Sequence, residues 1–300
     1  MARAKSRDTT GGARIGVRKT YKMYVGGAFP RSESGHSYAV TDSKGAFVAN
    51  ASLASRKDAR DAVVAARKAQ PGWAGRTAYN RGQVLYRVAE MIEDRRPQFV
   101  ADVRTAEGLS ESAAGRVVDA VVDRLVWYAG WTDKLTQVVG NGNPVAGPFF
   151  NLSTPEPTGV VAVLAPQDSS LLGLVSAIAP TIAVGNTVVA VSSFARPLPA
   201  VTLGEVLATS DVPGGVVNIL TGDAASVGPW LASHMDVDAI DLVGVAGDAA
   251  LATALEVAAA DNLKRVRRAP AAEPDWTAEP TLSAMTDLVE IKTVWHPTGV

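Results

Sequence analysis

The sequence has no cysteine among its 300 residues. That absence excludes disulfides, thiolate metal sites and any thiol nucleophile carried by these residues. Histidine is scarce too, with His36, His234 and His296 the whole supply of imidazole. The three are scattered without ligand-like spacing, so no metal site is expected. His234, in the segment ASHMD, reads as a surface or capping residue. An excess of either charge is also missing. Lys and Arg total 29 against 30 Asp and Glu, which gives a net charge of −1 and no general attraction to nucleic acid. No Gly-x-Ser-x-Gly elbow and no Walker loop occurs. The opening stretch MARAKSRDTTGGARIGVRK lacks the apolar core of a secretory leader, so the expected compartment is the cytoplasm. One uncharged run, Ser169–Ala195, has the length of a bilayer span. Pro180 and the pair Gly185-Asn186 interrupt it, and it reads as a buried helix and a buried strand, with no membrane partner expected.

What is present is apolar material, 47% of the chain, enough for a full hydrophobic core. The stretch from Pro155 to Gly222 organises the rest. Val160–Leu164 is a short apolar run, Leu171–Val184 a longer Leu- and Ala-rich one, and Thr187–Val191 is short and β-branched. Gly185-Asn186 suits a helix C-terminus. Pro197 opens a helix to about Thr209, and Val216–Leu220 is the next strand. Fully apolar strands alternating with helices predict an α/β fold, a Rossmann-like wound parallel sheet with packed helices on both faces.

The flanking chain follows. Residues 1–20 read as a basic, flexible tail. Tyr21–Phe29 is expected to be a strand turning at Gly26-Gly27, and Ser37–Leu53 to continue an antiparallel layer. Ser55 with Asp58 predicts a capped helix over Lys57–Gln70. Thr77 starts a second helix, with Val84, Leu85, Val88, Met91 and Ile92 on one face, and Ser110 a third, with Val117, Val118, Val121, Val122, Leu125 and Val126 in a stripe. Trp127, Tyr128 and Trp131 read as core or interface packing. Gly140–Pro148 is a loop. Helices are expected at about Ala224–His234 and Asp248–Ala260, with a strand at Ala239–Val243. Lys264–Arg268 breaks the apolar strand pattern, Ala269–Pro280 reads as a Pro-rich linker, and Leu282–Trp295 as an edge or exchanged strand.

The segments PEPTGVVAVLAP, IAPTIAVGNTVVA, PGGVVNILTG and LASHMDVDAIDLVG resemble the dinucleotide-binding domain of the aldehyde dehydrogenase family. YVGGAFP, the run WAGRTAYNRGQVLYRVAEMIEDR and WYAGWTDK extend the resemblance upstream. LVEIKTVW, Leu288–Trp295, resembles the family's C-terminal oligomerisation strand. The resemblance implies a nucleotide-binding body over 21–139 and 158–268, oligomerisation segments at 140–157 and 281–300, and the linker 269–280 in place of the thiol-bearing catalytic domain. Exposed Phe149-Phe150 would suit a hairpin that builds the oligomer, although burial would explain them equally.

The family's reaction needs a cysteine, an oxyanion-holding asparagine, a general-base glutamate, and NAD or NADP. Asp168 stands at the asparagine position, after Pro166-Gln167, and an ionised carboxylate donates no hydrogen bond to an oxyanion. Val191 and Phe194 stand where a Lys and a Glu hold the cofactor's ribose. In the pyrophosphate turn Gly244 remains, Val245 replaces a serine, Ala249 replaces a glycine, and Asp248 adds negative charge. Ala269 falls at the glutamate position. The resemblance thus leaves Pro166, Gln167, Val191, Phe194, Gly222, Gly244 and Val245 as the cofactor-facing candidates, none in a form that assures NAD or NADP binding.

These substitutions together point to a family member that has abandoned catalysis and serves as a structural or regulatory subunit. It would pair through Leu288–Trp295 with a full-length aldehyde dehydrogenase paralogue or with itself, because that strand is expected to have no partner in its own chain. Two alternatives stay open: an NAD(P)-binding oxidoreductase that borrows a partner's thiol, and a nucleotide or metabolite sensor.

Overall fold

The structure is a computed structural model and describes residues 18–299. The tail reading falls largely on residues 1–17, outside the described residues.

The N-terminal strands β1 (Thr20–Tyr21), β2 (Ser37–Thr41) and β3 (Phe47–Ser52) form a small sheet in the order β1-β3-β2. The expected strand over Tyr21–Phe29 is corrected: pairing there stops at Tyr21. Gly26 and Gly27 hold positive φ angles of 62° and 83° and reverse the chain, leaving Tyr24 only an isolated bridge to Ile219.

Four long helices follow: α1 (Arg56–Ala74), α2 (Ala78–Asp94), α3 (Arg96–Glu107) and α4 (Glu111–Trp131). Ser55 and Asp58 form a complete capping box, and Thr77 and Ser110 cap α2 and α4 by side-chain acceptance. Helix α1 runs four residues past Gln70, through Pro71, and ends beyond Trp73. That indole is buried and donates to the carbonyl of Ile182 at 2.9 Å. Helix α3 is an addition to the elements expected from the sequence pattern, since only Phe99, Val100 and Val103 of it are buried. A short helix α5 (Leu135–Val139) then leads to β4 (Asn141–Asn143) and β5 (Phe149–Pro157). Strand β4 corrects the expected loop over Gly140–Pro148, because Asn141–Asn143 pair antiparallel with β5.

The wound sheet is built from β6 (Val160–Leu164), α6 (Leu172–Ala183), β7 (Thr187–Val191), α7 (Leu198–Leu207), β8 (Val217–Leu220), α8 (Ala224–Ala232), β9 (Ala239–Asp241), α9 (Ala249–Ala260) and β10 (Arg265–Arg267). Its five strands are parallel, in the order β10-β9-β6-β7-β8. Every residue of β6, α6 and β7 is buried, so the uncharged run Ser169–Ala195 is interior from Ser170 to Ser193. No helix among the described residues is long and apolar enough to cross a membrane.

Three corrections concern the C-terminal part. Arg265–Arg267 is a strand despite its charge: it pairs with β9 at the sheet edge, where its side chains reach carboxylates. Ala269–Pro280 is no free linker, because its backbone and side chains are anchored to the body. The final strand β11 (Val289–Pro297), which follows α10 (Ser283–Thr286), has a partner in its own chain. It pairs antiparallel with β5 over nine residues, from Val289–Pro157 to Pro297–Phe149. The buried Asn186 side chain explains how this end is docked. It accepts from the Gly159 amide at 2.7 Å and donates to the Leu288 carbonyl at 2.8 Å.

Candidate functional site: the crevice at the sheet's switch point

In the order β10-β9-β6-β7-β8 the chain winds one way from β6 and then returns to β6's other side. Wound sheets bind ligands outside the carboxyl ends of the strands at such a reversal. The crevice therefore lies between the segments after β6 and after β9. Pro166, Gln167 and Asp168 follow β6, Phe194 follows β7, Gly222 follows β8, and Gly244 and Val245 form a single 3₁₀ turn after β9.

The first two loops are tied together. The Gln167 side chain accepts from the Phe194 amide at 3.0 Å, and its carbonyl accepts from the Ser193 hydroxyl at 2.8 Å. Arg196 pairs with the Asp168 carboxylate at 3.1 Å, with the Asp168 side chain largely exposed. Pro166 and Val191 are buried, and Val191 packs in the core beneath α1 and α8. Phe194 stacks on Tyr38 of β2, with ring centroids 4.6 Å apart. The Tyr38 hydroxyl is buried without a hydrogen-bond partner, and burial pushes its pKa up.

Gly244 has a packing role. A Cβ there would lie 2.0 Å from the Ala165 carbonyl oxygen and 2.4 Å from that of Leu164, so only glycine lets the turn press onto the end of β6. Val245 next to it is buried, Gly222 is buried at the end of β8 against Ala54, and Ala269 packs against the core.

The groups that dominate the crevice escaped the sequence reading. The Glu273 carboxylate accepts from three consecutive backbone amides: Gln167 at 3.1 Å, Asp168 at 3.0 Å and Ser169 at 2.9 Å. The indole of Trp276 donates to the same carboxylate at 3.0 Å. Glu107, at the end of α3, takes the next amide, Ser170, at 2.8 Å, and its hydroxyl at 2.6 Å. Helix α6 has no side-chain cap of its own at Leu171, and these two glutamates place negative charge at its N-terminal side. Arg124 of α4 is nearly buried and donates to Ser176 at 3.0 Å and to the carbonyls of Trp276 and Ala278 at 2.9 and 2.8 Å. Burial lowers the Arg124 pKa. Only a shallow cleft of about 370 Å³ remains beside this segment, bordered by Glu107, Ser169, Leu172 and Trp276. Trp276 was the available signal, since an indole in a Pro-rich stretch needs a surface to cover.

At the opposite lip Asp241 is buried, accepting from the Val243 amide at 3.0 Å and from Arg267 at 2.6 Å. Burial raises the Asp241 pKa, and Arg267 opposes that shift. Arg267 also approaches Asp287 at 3.5 Å, and Arg265 forms a two-pronged pair with Glu290 of β11. The two arginines of β10 fasten the C-terminal strand to the body.

This architecture has known counterparts. The family model described as "Aldehyde dehydrogenase family" matches residues 29–268. Aldehyde dehydrogenase, cytosolic 1 of Elephantulus edwardii is 32% identical over 253 residues, covering 82% of this chain and 49% of the relative. The aldehyde dehydrogenase of Davidiella tassiana is 33% identical over 248 residues, covering 81% and 49%. Among solved structures, the NAD+ complex of the aldehyde dehydrogenase from Bacillus cereus superimposes with a TM-score of 0.77 at 25% identity, covering 83% of this chain and 50% of that one. The chain spans about half the length of the curated relatives it matches. A match across 29–268 that takes in the wound sheet and the helices packed on it, with relatives near one-third identity, settles the descent: the chain belongs to the aldehyde dehydrogenase family.

Proposed function

We propose that this chain is a non-catalytic member of its family that serves as a structural or regulatory subunit, joining an active aldehyde dehydrogenase or a second copy of itself through the sheet β4-β5-β11. The observation that carries this reading is the state of that sheet. Phe149, Phe150, Ile291 and Trp295 are 42, 51, 52 and 56% exposed, and among the described residues nothing pairs with the outer edge of β11. An open edge beside apolar side chains is a template for strand addition by another chain. The nine-residue pairing with β5 and the arginine fasteners hold that edge in place before any partner arrives.

The chemistry of the crevice supports the non-catalytic half of the reading. No thiol is carried by the 300 residues, and on the family resemblance Asp168 and Ala269 fall where an oxyanion-holding asparagine and a general-base glutamate are expected. The residues do not fit a nicotinamide dinucleotide. Val191 is interior, Phe194 presents no hydrogen-bonding group, and Glu273 already takes the amides after β6. The alternative, a dinucleotide-binding chain using a partner's thiol, draws support from the solved relative that holds NAD+.

Affinity purification of the tagged chain from its native host, followed by native mass spectrometry, tests the reading. The expected product is a complex with a dehydrogenase polypeptide or a homo-oligomer, lost on Ile291→Asp. A monomer with no attached chain overturns it. So does reduction of NAD by the purified chain acting alone on an aldehyde.

A further inference from the structure

Residues 269–279 run across both lips of the switch-point crevice. On one side Glu273 and Trp276 hold the segment after β6. On the other, the Ala271 carbonyl lies 3.7 Å from where a Cβ on Gly247 would stand, beyond the turn after β9. Neither anchor is an ion pair. Glu273 is balanced by main-chain amides and the Trp276 indole, and Arg124 by main-chain carbonyls and a hydroxyl. Successive amides aimed at one point make an anion-accepting nest, and a carboxylate from a distant part of the chain fills it.

We propose that this segment is a plug acting in cis: Glu273 occupies a nest that accepts the oxyanion of a small carboxylate or phosphate ligand, and such a ligand enters only when the strap is displaced. The neighbours match that role. The donors are backbone groups, fixed by the loop whatever the strap does. Arg196 draws the adjacent Asp168 carboxylate aside, which lessens its repulsion of an incoming anion. The cleft beside Trp276 leaves open space against the strap. The inference is independent of the subunit reading, since it concerns the body alone.

The test follows the amides of Gln167, Asp168 and Ser169 in the isotope-labelled full chain during titration with acetate and, separately, with inorganic phosphate. The native chain is expected to show little response. Glu273→Ala is expected to show saturable shifts confined to these amides, at least about tenfold tighter than in the native chain, because removal of the competing carboxylate raises the open fraction. A response to acetate alone assigns a carboxylate ligand, and one to phosphate alone a phosphoryl ligand. Should Glu273→Ala fail to fold, Glu273→Gln keeps the size and removes the charge, and the same shifts are expected at weaker affinity. A folded variant with unmoved amides overturns the proposal and leaves Glu273 a purely structural cap. An equal response in native and variant chains overturns it as well.

Discussion

The five-stranded and three-stranded sheets differ in what covers them. Strands β6, β7 and β8 are buried at every residue, roofed by α1, α8 and α9 on one face and by α2, α4, α6 and α7 on the other. Strand β11 exposes seven of its nine residues, although its nine-residue ladder to β5 is complete. The ladder to β5 satisfies only one edge of β11, whose outer edge is unpaired among the described residues, and the side chains of the two sheets meet different fates as well. Apolar burial contributes roughly 25 cal/mol per Å². The wound sheet already has that stabilisation within one chain, whereas the outer sheet gains it only by meeting another surface.

Four changes break or sharpen the contrast. The largest effect is expected from Leu164→Ala at the end of β6, where the side chain is fully buried and touches the space at Gly228. The cost is about 3–4 kcal/mol, read as a lower urea midpoint at unchanged slope. Next, Arg267→Met strips the buried Asp241 of its guanidinium and unfastens β11, at a cost of about 3 kcal/mol. Asp241 has a raised folded-state pKa, so the stability it contributes is present below the unfolded value of about 3.9 and is lost as pH rises through the folded value. That loss is expected to steepen in the variant, measured by denaturant unfolding across pH.

Asp58 behaves in the opposite sense. Burial pushes its carboxyl up, but hydrogen bonds from the Ser55 and Glu33 amides and from the Ser32 and Ser55 hydroxyls outweigh it and hold the pKa below the ordinary value. Its contribution is present above about pH 3.9 and is lost as pH falls through the folded value. Asp58→Asn is expected to cost about 1–2 kcal/mol near neutrality and to flatten the acid limb of the stability curve. The smallest change in stability is expected from Ile291→Thr on the outer sheet, within about 0.5 kcal/mol for the isolated chain. Assembly of the same variant is expected to weaken at least tenfold, measured by analytical ultracentrifugation. A stability loss as large as that of Leu164→Ala, with assembly untouched, would erase the distinction between the two sheets.

How far the fold was legible follows from the same contrast. Val160–Leu164 and Thr187–Val191 were readable to the residue, because a strand buried on both faces is apolar throughout. The caps at Ser55, Thr77 and Ser110 were readable because their partners lie three residues away. What escaped is what depends on distant charge. Arg265–Arg267 looks unlike a strand until Asp241 and Glu290 stand beside it. Glu273 lies more than a hundred residues from the amides it caps, so no local pattern marks it. Helix α3 was hidden by its opening Arg95-Arg96-Pro97 and weak apolar face, with only Phe99, Val100 and Val103 buried. At the site, Pro166, Gln167, Gly244 and Val245 lie at the ends of β6 and β9 that flank the crevice, whereas Val191 is in the core and Gly222 follows β8 at the far edge. What fills the crevice is Glu273, in a Pro-rich stretch whose composition alone reads as a linker.

The bridge between β10 and α10 has an architectural consequence. Fifteen residues join Arg267 to Ser283, and both attachment points sit on the same body. A lobe spliced in at that place would leave and rejoin the sheet without rethreading a single strand, the condition under which insertions are tolerated. The winding of the sheet therefore does not depend on the length of this bridge, only on its two ends meeting on one body.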